Sequence, residues 1–459
     1  MSIANIFKSK ETTKDTQPLV NEQTERTGFT LGVHQKFSLV NSTDIVVTGR
    51  LKGKVKLGDA VYVSNIGDDD DSVLLTTVRG IETGPNIQVT GATDGVVALR
   101  LENASKQNIK CGTVVFTRNI STGEVHNSYF SALGDVYVAG KGLDLTTQEL
   151  DSLSITDCYE IWRLFLWFIS KNKTTDEVEI QKNRSKIDAV AEAMCKKILS
   201  AELLYCIFSK ATGEPYLHSR TSARQDGQYE CTPPEIIIFT KAYKNIAMAQ
   251  FPQDRFEVRQ IENGEDKKGI ENFFGMAFYL NGACGVSIIS EQIGINANML
   301  VKKPDYSQTP DIQIPITNPD LVRWMLLMAQ IGTPDTDEKK IRYQLYCKFM
   351  DREIVKAKLL IPMKHSGNIP EGDSEGKTVL KEGIEISLPI IDGKNGRHAV
   401  RMYTDWKRLH EGMGEDWNGL VQSIEGIINE YDCAINIPTP EHDGGCYISK
   451  ELFDSLLKN

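Results

Sequence analysis

The chain has 459 residues, 40% hydrophobic and 25% charged, which is more than one hydrophobic core serves and ordinary for a multidomain protein. Its formal net charge of -10 argues against a general nucleic-acid binder, because phosphate contacts need clustered Lys and Arg, although a local basic face is compatible with it. Nine cysteines include no CxxC pair, so a disulfide framework and a zinc site of usual spacing are both unexpected and a reducing cytoplasm fits best.

Residues 1–27 are polar, lack the apolar stretch of a signal peptide, and read as a flexible leader. From 28 to 118 the character changes. Short β-rich runs (Phe29-Thr-Leu, Ile45-Val-Val-Thr-Gly-Arg, Ala60-Val-Tyr-Val, Val73-Leu-Leu-Thr-Thr-Val, Gly95-Val-Val-Ala-Leu-Arg-Leu, Thr113-Val-Val-Phe) alternate with Gly, Asp and Asn. With no helical pattern between them, they predict a small closed barrel or sandwich. Lys52, Lys54 and Lys56 alternate, so on a strand they share one face. That face is either a solvated strand surface or a contact for RNA or a partner. The segment 29–118 holds 10 Lys+Arg and 9 Asp+Glu, and its acidic loop at 68–71 repels a phosphate backbone.

The VVTGR stretch, read as a hairpin, is followed by K-x-G-D-x-V-x-V at Lys56, G-V-V-A-L-x-L at Gly95 and I-x-x-G-T-V-V at Ile109. In that order and spacing the segment resembles domain 2 of translation elongation factor Tu and its relatives. The resemblance implies a barrel fold and, through basic positions, contact with tRNA or ribosomal RNA. It implies no GTPase activity, since a nucleotide-binding domain does not fit into 27 residues.

Residues 119–145 are expected to form a linker. Thr146-x-x-Glu149 reads as a capping box that starts a helix. The apolar run 161–169 contains Arg163 and is far shorter than the roughly 20 residues of a membrane span, so it reads as a buried helix.

From Thr146 onward two tandem units are expected, at 146–304 and 305–459. Each has an apolar helix with Arg at its third position (Arg163, Arg323), a second helix, and a strand beginning A-x-L-L at Ala201 or Ala357. Phe239-Thr240-Lys241-Ala242 then aligns with Tyr403-Thr404-Asp405-Trp406, and Gly285-Val286-Ser287 with Ala434-Ile435-Asn436, which puts Cys284 opposite Cys433. Period and pattern describe duplicated α+β or α/β layer domains rather than solenoid repeats.

Five ordered motifs mark the second unit: A-K-L-L-I-P-M-K from Ala357, E-I-S-L-P from Glu385, D-G-x-x-G-R from Asp392, M-Y-T-D-W from Met402 and A-I-N-I-P from Ala434. Together they resemble the N-terminal domain of the SseB (enhanced serine sensitivity) family. The first unit is the degenerate copy and 305–459 the better-matching one. Ile384, Ile386 and Leu388 alternate with polar residues, predicting one buried strand face. Asp405 follows a strand and can cap the helix that starts at Trp406. The sharper alternative makes Asp405, Trp406 and Asn436 an interaction site, with Trp417 nearby, because exposed Trp is enriched at contact hot spots.

The loop 372–378 resembles a P-loop but has three residues between its glycines and no strand before it. No HExxH, GxSxG or GxGxxG occurs, and the seven histidines are scattered. Cys284 and Cys433 read as packing residues. The expectation is a cytoplasmic, non-enzymatic interaction protein. It joins an all-β translation-factor-like barrel to two tandem α+β SseB-like domains. A protein partner is expected and no cofactor, metal, membrane or DNA. The alternatives are a ribosome- or RNA-associated factor docking through the barrel, and an enzyme with a site between the repeats.

Overall fold

The computed structural model describes residues 28–67, 72–288, 294–310, 313–366, 385–393, 396–436 and 444–458. The leader, the acidic loop 68–71, the P-loop-like segment 372–378, and positions 384, 395, 438 and 442 fall outside them. Two compact units result: one up to Ser64 plus Val73–Ala132, the other Asn65–Ser72 plus Leu133 onward.

The first unit is a closed antiparallel barrel. Strands β1 (Phe29–Ser38), β2 (Ile45–Lys56), β3 (Ala60–Ser64), β4 (Val73–Glu82), β6 (Gly91–Leu101) and β7 (Val114–Phe116) pair in the cycle β3-β7-β1-β2-β6-β4-β3. The short β5 (Gln88–Val89) extends β4. Alternation builds its core: Val47, Leu51, Val55, Val61, Val63, Leu99 and Leu101 point inward and are fully buried or nearly so.

The VVTGR stretch is not a hairpin. Strand β2 runs through it to Lys56, and the register slips between Leu51 and Lys54, where Gly53 adopts φ 97°. A bulge absorbs one residue there, so alternation continues instead of the chain reversing.

Residues 119–145 are largely helical rather than an open linker: α1 (Thr122–Leu133) continues into a π-helical segment, Gly134–Gly140. The signal was in the sequence. Ser121 Oγ accepts from Glu124 N while the Glu124 carboxylate accepts from Ser121 N, both at 3.3 Å, forming a capping box. Val125, Ser128, Tyr129 and Ala132 then make a buried stripe at helical spacing. The stripe lies against β1, where a Cβ on Gly32 would sit 2.3 Å from the Ser128 carbonyl oxygen.

The second unit holds a six-stranded sheet and, later in the chain, a three-stranded and a four-stranded sheet linked by one bridge, along a similar path. Helix α2 (Thr147–Ser152) starts at the expected Thr146–Glu149 capping box. Helices α3 (Ile155–Lys171) and α4 (Glu177–Ser200) lead into β8 (Leu203–Ser209). The first sheet is completed by β9 (Leu217–His218), β12 (Glu235–Phe239), β13 (Phe256–Glu262), β14 (Gly285–Ile288) and β15 (Gly294–Asn296) in the order β13-β8-β12-β14-β15, with β9 pairing β12. A separate ribbon joins β10 (Thr221–Ala223) to β11 (Tyr229–Cys231). Helices α5 (Lys244–Gln250), α6 (Gly269–Tyr279) and α7 (Ala297–Leu300) connect these strands.

The second half follows the same course. Helices α8 (Pro319–Ile331) and α9 (Asp337–Ile354) lead into β16 (Lys358–His365). Strand β20 (Asn418–Ser423) flanks β16 as β13 flanks β8, and a bridge from Leu360 to Tyr403 joins β16 to β19 (His398–Met402). Strand β19 runs parallel to β21 (Asp432–Ile435), which pairs antiparallel with β22 (Cys446–Ile448), as β12, β14 and β15 do. Helix α10 (Trp406–Met413) follows β19 and α11 (Lys450–Leu456) follows β22. The arginine common to both apolar helices has one local role. Arg163 pairs with Glu160 and Arg323 with Asp320, each at i,i+3.

Two expectations are corrected here. Ile386 is 41% exposed, because β17 (Ile386–Ser387) is a two-residue edge strand pairing only with the tip of β16. And with Phe239 set on Tyr403, the parallel pairings Ile238 with Ile288 and Met402 with Ile435 place Ile288, not Val286, opposite Ile435. Cys284 therefore does not match Cys433, and the counterpart of Asn436 is position 289, outside the described residues. Both strands are buried along their whole length, so no alternation fixes their register from sequence.

Candidate functional site

Two groups of candidate residues fall in different units. On the barrel, Arg50, Lys52, Lys54 and Lys56 all project from the outward face of β2, between buried Gly49, Leu51, Gly53 and Val55. Lys52, Lys54 and Lys56 make no ion pair among the described residues. Among the barrel's acids, Asp44 holds Arg100 at 2.7 Å and Glu102 pairs with Arg79, while Asp59 lies at the end of the row and accepts from Lys56 N at 2.8 Å. Asp94 sits beside the row and accepts from Gly53 N at 2.8 Å. Lys52 also lines a cavity of about 140 Å³ with Glu124 and Asn127. A regular strand repeat of about 6.6–6.8 Å separates Lys54 from Lys56, whereas the bulge at Gly53 interrupts that repeat between Lys52 and Lys54. On another part of the outer surface, register sets Leu75 beside Tyr62 and Tyr62 beside Phe116. Leu75 is 60% exposed, and the two rings lie 5.8 Å apart.

In the second half of the α/β unit, Asp405 and Asn436 are brought together through Thr404. Asn436, with φ 45°, accepts from Thr404 N at 3.1 Å and donates to Thr404 Oγ1 at 2.9 Å. Thr404 Oγ1 donates to Asp405 Oδ2 at 2.7 Å. Asp405 caps α10: Oδ1 accepts from Arg408 N at 3.0 Å, and Oδ2 takes Arg408 Nη1 at 2.6 Å. Only 1% of Asp405 is exposed, so both its oxygens are spent inside the protein. Trp406 is half-buried. Like Trp417, it packs against the cluster of Leu360, Tyr403 and Leu409, and it lies against Gly419, where a Cβ would meet its ring at 2.8 Å. Lys364 stands 4.7 Å over the Trp417 ring and 2.6 Å from Asp416. The conspicuous Arg397 donates to buried Asp432 at 3.0 Å, tying its loop to β21.

The network continues into residues the sequence did not single out. Arg408 Nη2 donates to Asn281 Oδ1 at 2.8 Å and approaches Glu214 Oε1 at 3.4 Å; Lys407 Nζ reaches the same oxygen at 2.5 Å. Asn281 Nδ2 donates to Glu214 Oε2 at 2.9 Å. Burial pushes the Glu214 carboxyl upward, but Arg408 and Lys407 outweigh it and hold the group below its ordinary value. This cluster joins the two halves.

Burial raises the thiols, Cys433 to about 12 and Cys195 to about 11. Among the described residues, no three His, Cys, Asp or Glu side chains cluster to hold a metal, and no helix is long and apolar enough to cross a membrane.

No family model matches the chain, and no curated protein sequence matches it. Among solved structures, translation elongation factor SelB from Methanococcus maripaludis is similar in its apo form, at 23% identity over 21% of this chain and 20% of that chain, with a TM-score of 0.18. The same factor with the GTP analogue GppNHp is similar at 21% identity over 26% of this chain and 23% of that chain, again with a TM-score of 0.18. The chain thus spans about a fifth of the length of those factors.

Proposed function

We propose that the chain is a non-enzymatic binding protein whose barrel, of the elongation-factor domain-2 type, docks on RNA through Arg50, Lys52, Lys54 and Lys56. One observation carries this reading: these basic side chains share the outward face of one rigid strand, and the three lysines have no carboxylate partner among the described residues. Three lysines without a carboxylate partner attract a phosphate backbone, and the strand holds their Cα positions in line before binding. The α/β unit, with its five SseB-like motifs and doubled sheet path, serves in this reading as a rigid body that contacts a protein partner.

Co-sedimentation with purified ribosomes tests it. The full chain is expected to pellet with ribosomes at about 50 mM salt and to be released toward about 200 mM. A folded K52Q/K54Q/K56Q variant is expected to stay in the supernatant. Equal pelleting of the variant contradicts the proposal.

A second reading has its own support. The exposed Leu75 beside Tyr62 and Phe116 offers an apolar strip suited to a protein rather than to RNA. Loss of pelleting on Leu75→Lys, with the lysine variant unaffected, favours it.

A further inference from the structure

A cleft of about 240 Å³, partly open to solvent, lies in the α/β unit between the segment carrying Phe251 to Phe256 and helices α8 and α9. It is far larger than the roughly 10–15 Å³ that a single water needs and suits a small ligand. One wall is aromatic. Tyr216, Phe251 and Phe256 meet edge to face, with centroids 4.9, 5.5 and 5.9 Å apart. The other wall carries N–H donors and no Asp or Glu. Arg255 donates to the Gln330 carbonyl at 2.6 Å and has no carboxylate partner among the described residues. Gln330 is 6% exposed. Its Oε1 accepts from Leu217 N at 3.3 Å, yet its Nε2 has no hydrogen-bond partner. Arg342 pairs through Nη2 with Glu338, while its buried Nε is likewise without a partner.

Leaving a buried donor unsatisfied is costly, so two of them beside one uncompensated guanidinium mark a place built to receive acceptors. An anion answers all three groups, and a flat apolar body answers the ring wall. We propose that this cleft binds a small aromatic carboxylate, with its carboxyl facing Arg255, Gln330 and Arg342 and its ring against Tyr216, Phe251 and Phe256. The site is separate from the lysine row and does not depend on RNA binding.

Calorimetric titration of the full chain with phenylacetate tests this. One saturable site per chain is expected, with phenylacetamide and inorganic phosphate each binding about tenfold or more weakly, the worth of a charge-assisted hydrogen bond or of the ring contact. Arg255→Gln is expected to weaken phenylacetate by a similar factor, and Lys52→Gln to leave it unchanged. Should R255Q fail to fold, Arg342→Lys, which keeps the charge and removes the Nε donor, is expected to weaken binding. Absence of saturation, equal binding of phenylacetamide or phosphate, or full affinity in a folded R255Q or R342K overturns the proposal.

Discussion

Lys407 Nζ lies 2.5 Å from Glu214 Oε1, so the first turn of α10 is anchored to a residue 193 positions earlier, in the other half of the α/β unit. Arg408 reaches the same carboxylate and also holds Asp405, which makes Glu214 the shared counterion of two cations. A buried carboxylate with that role is costly to remove, because both cations lose their shared partner and keep only Asp405 for Arg408 and Glu411, at 3.4 Å, for Lys407.

Glu214→Gln is therefore expected to lower stability at neutral pH by about 3 kcal/mol, the low end for a broken buried pair because Asp405 still faces Arg408. The pH dependence has a definite sign. The folded-state pKa of Glu214 lies below its ordinary value of 4.5. Its contribution is present above that value and disappears as pH falls through the folded pKa. Denaturant melts across pH 3–7 (about that range, set by ordinary carboxylate titration) should show the gap between wild type and variant narrowing in acid. A constant gap contradicts the assignment.

Asp405 serves α10 twice, as cap and as ion-pair partner. Asp405→Ala should cost about 2–4 kcal/mol by equilibrium unfolding, while Asp405→Asn keeps a capping acceptor and should cost less. If both variants melt like wild type, the residue is not the scaffold element its geometry describes.

A Cβ on Gly49 would lie 2.1 Å from the Gly32 carbonyl oxygen on the neighbouring strand. Gly49→Ala should therefore destabilise the barrel by about 1–3 kcal/mol through overpacking. Gly123→Ala, in α1 with nothing within 4 Å of the added carbon, should be neutral or stabilising by up to about 1 kcal/mol. Thermal melts of the two variants separate the cases.

Cys433 is fully buried with its thiol pushed up to about 12. Near pH 8 it should resist a thiol reagent in the native protein and react once denaturant is added. Native labelling of Cys433, mapped by peptide mass, contradicts a packing role.

How much of this was legible in the sequence follows from which signals are local. The β2 alternation gave the outward lysines and the inward Val and Leu directly. Capping at Thr146 and at Asp405 was equally readable, because cap and helix are neighbours in sequence. The box at Ser121 carries the same signal for α1, set among the Gly and Ser of 119–145. Register was not legible where strands are buried on both faces, hence the two-residue offset between β14 and β21. Nor was the pairing of Glu214 with Arg408, 194 residues apart, since Glu214 sits in a Thr-Gly-Glu-Pro turn that resembles any surface loop. The orphaned donors of Gln330 and Arg342 likewise exist only once two helices meet the first half.

The central claim is that Lys52, Lys54 and Lys56 contact phosphates. It is tested most directly by the salt dependence of binding between the full chain and purified ribosomal RNA, for wild type and K52Q/K54Q/K56Q. Each phosphate neutralised contributes about 0.7–0.9 to the slope of log Kobs against log salt, so the variant should bind more weakly and its slope should fall by about 2–3. Identical slopes and affinities for the two proteins, or no binding by either at low salt, would contradict it.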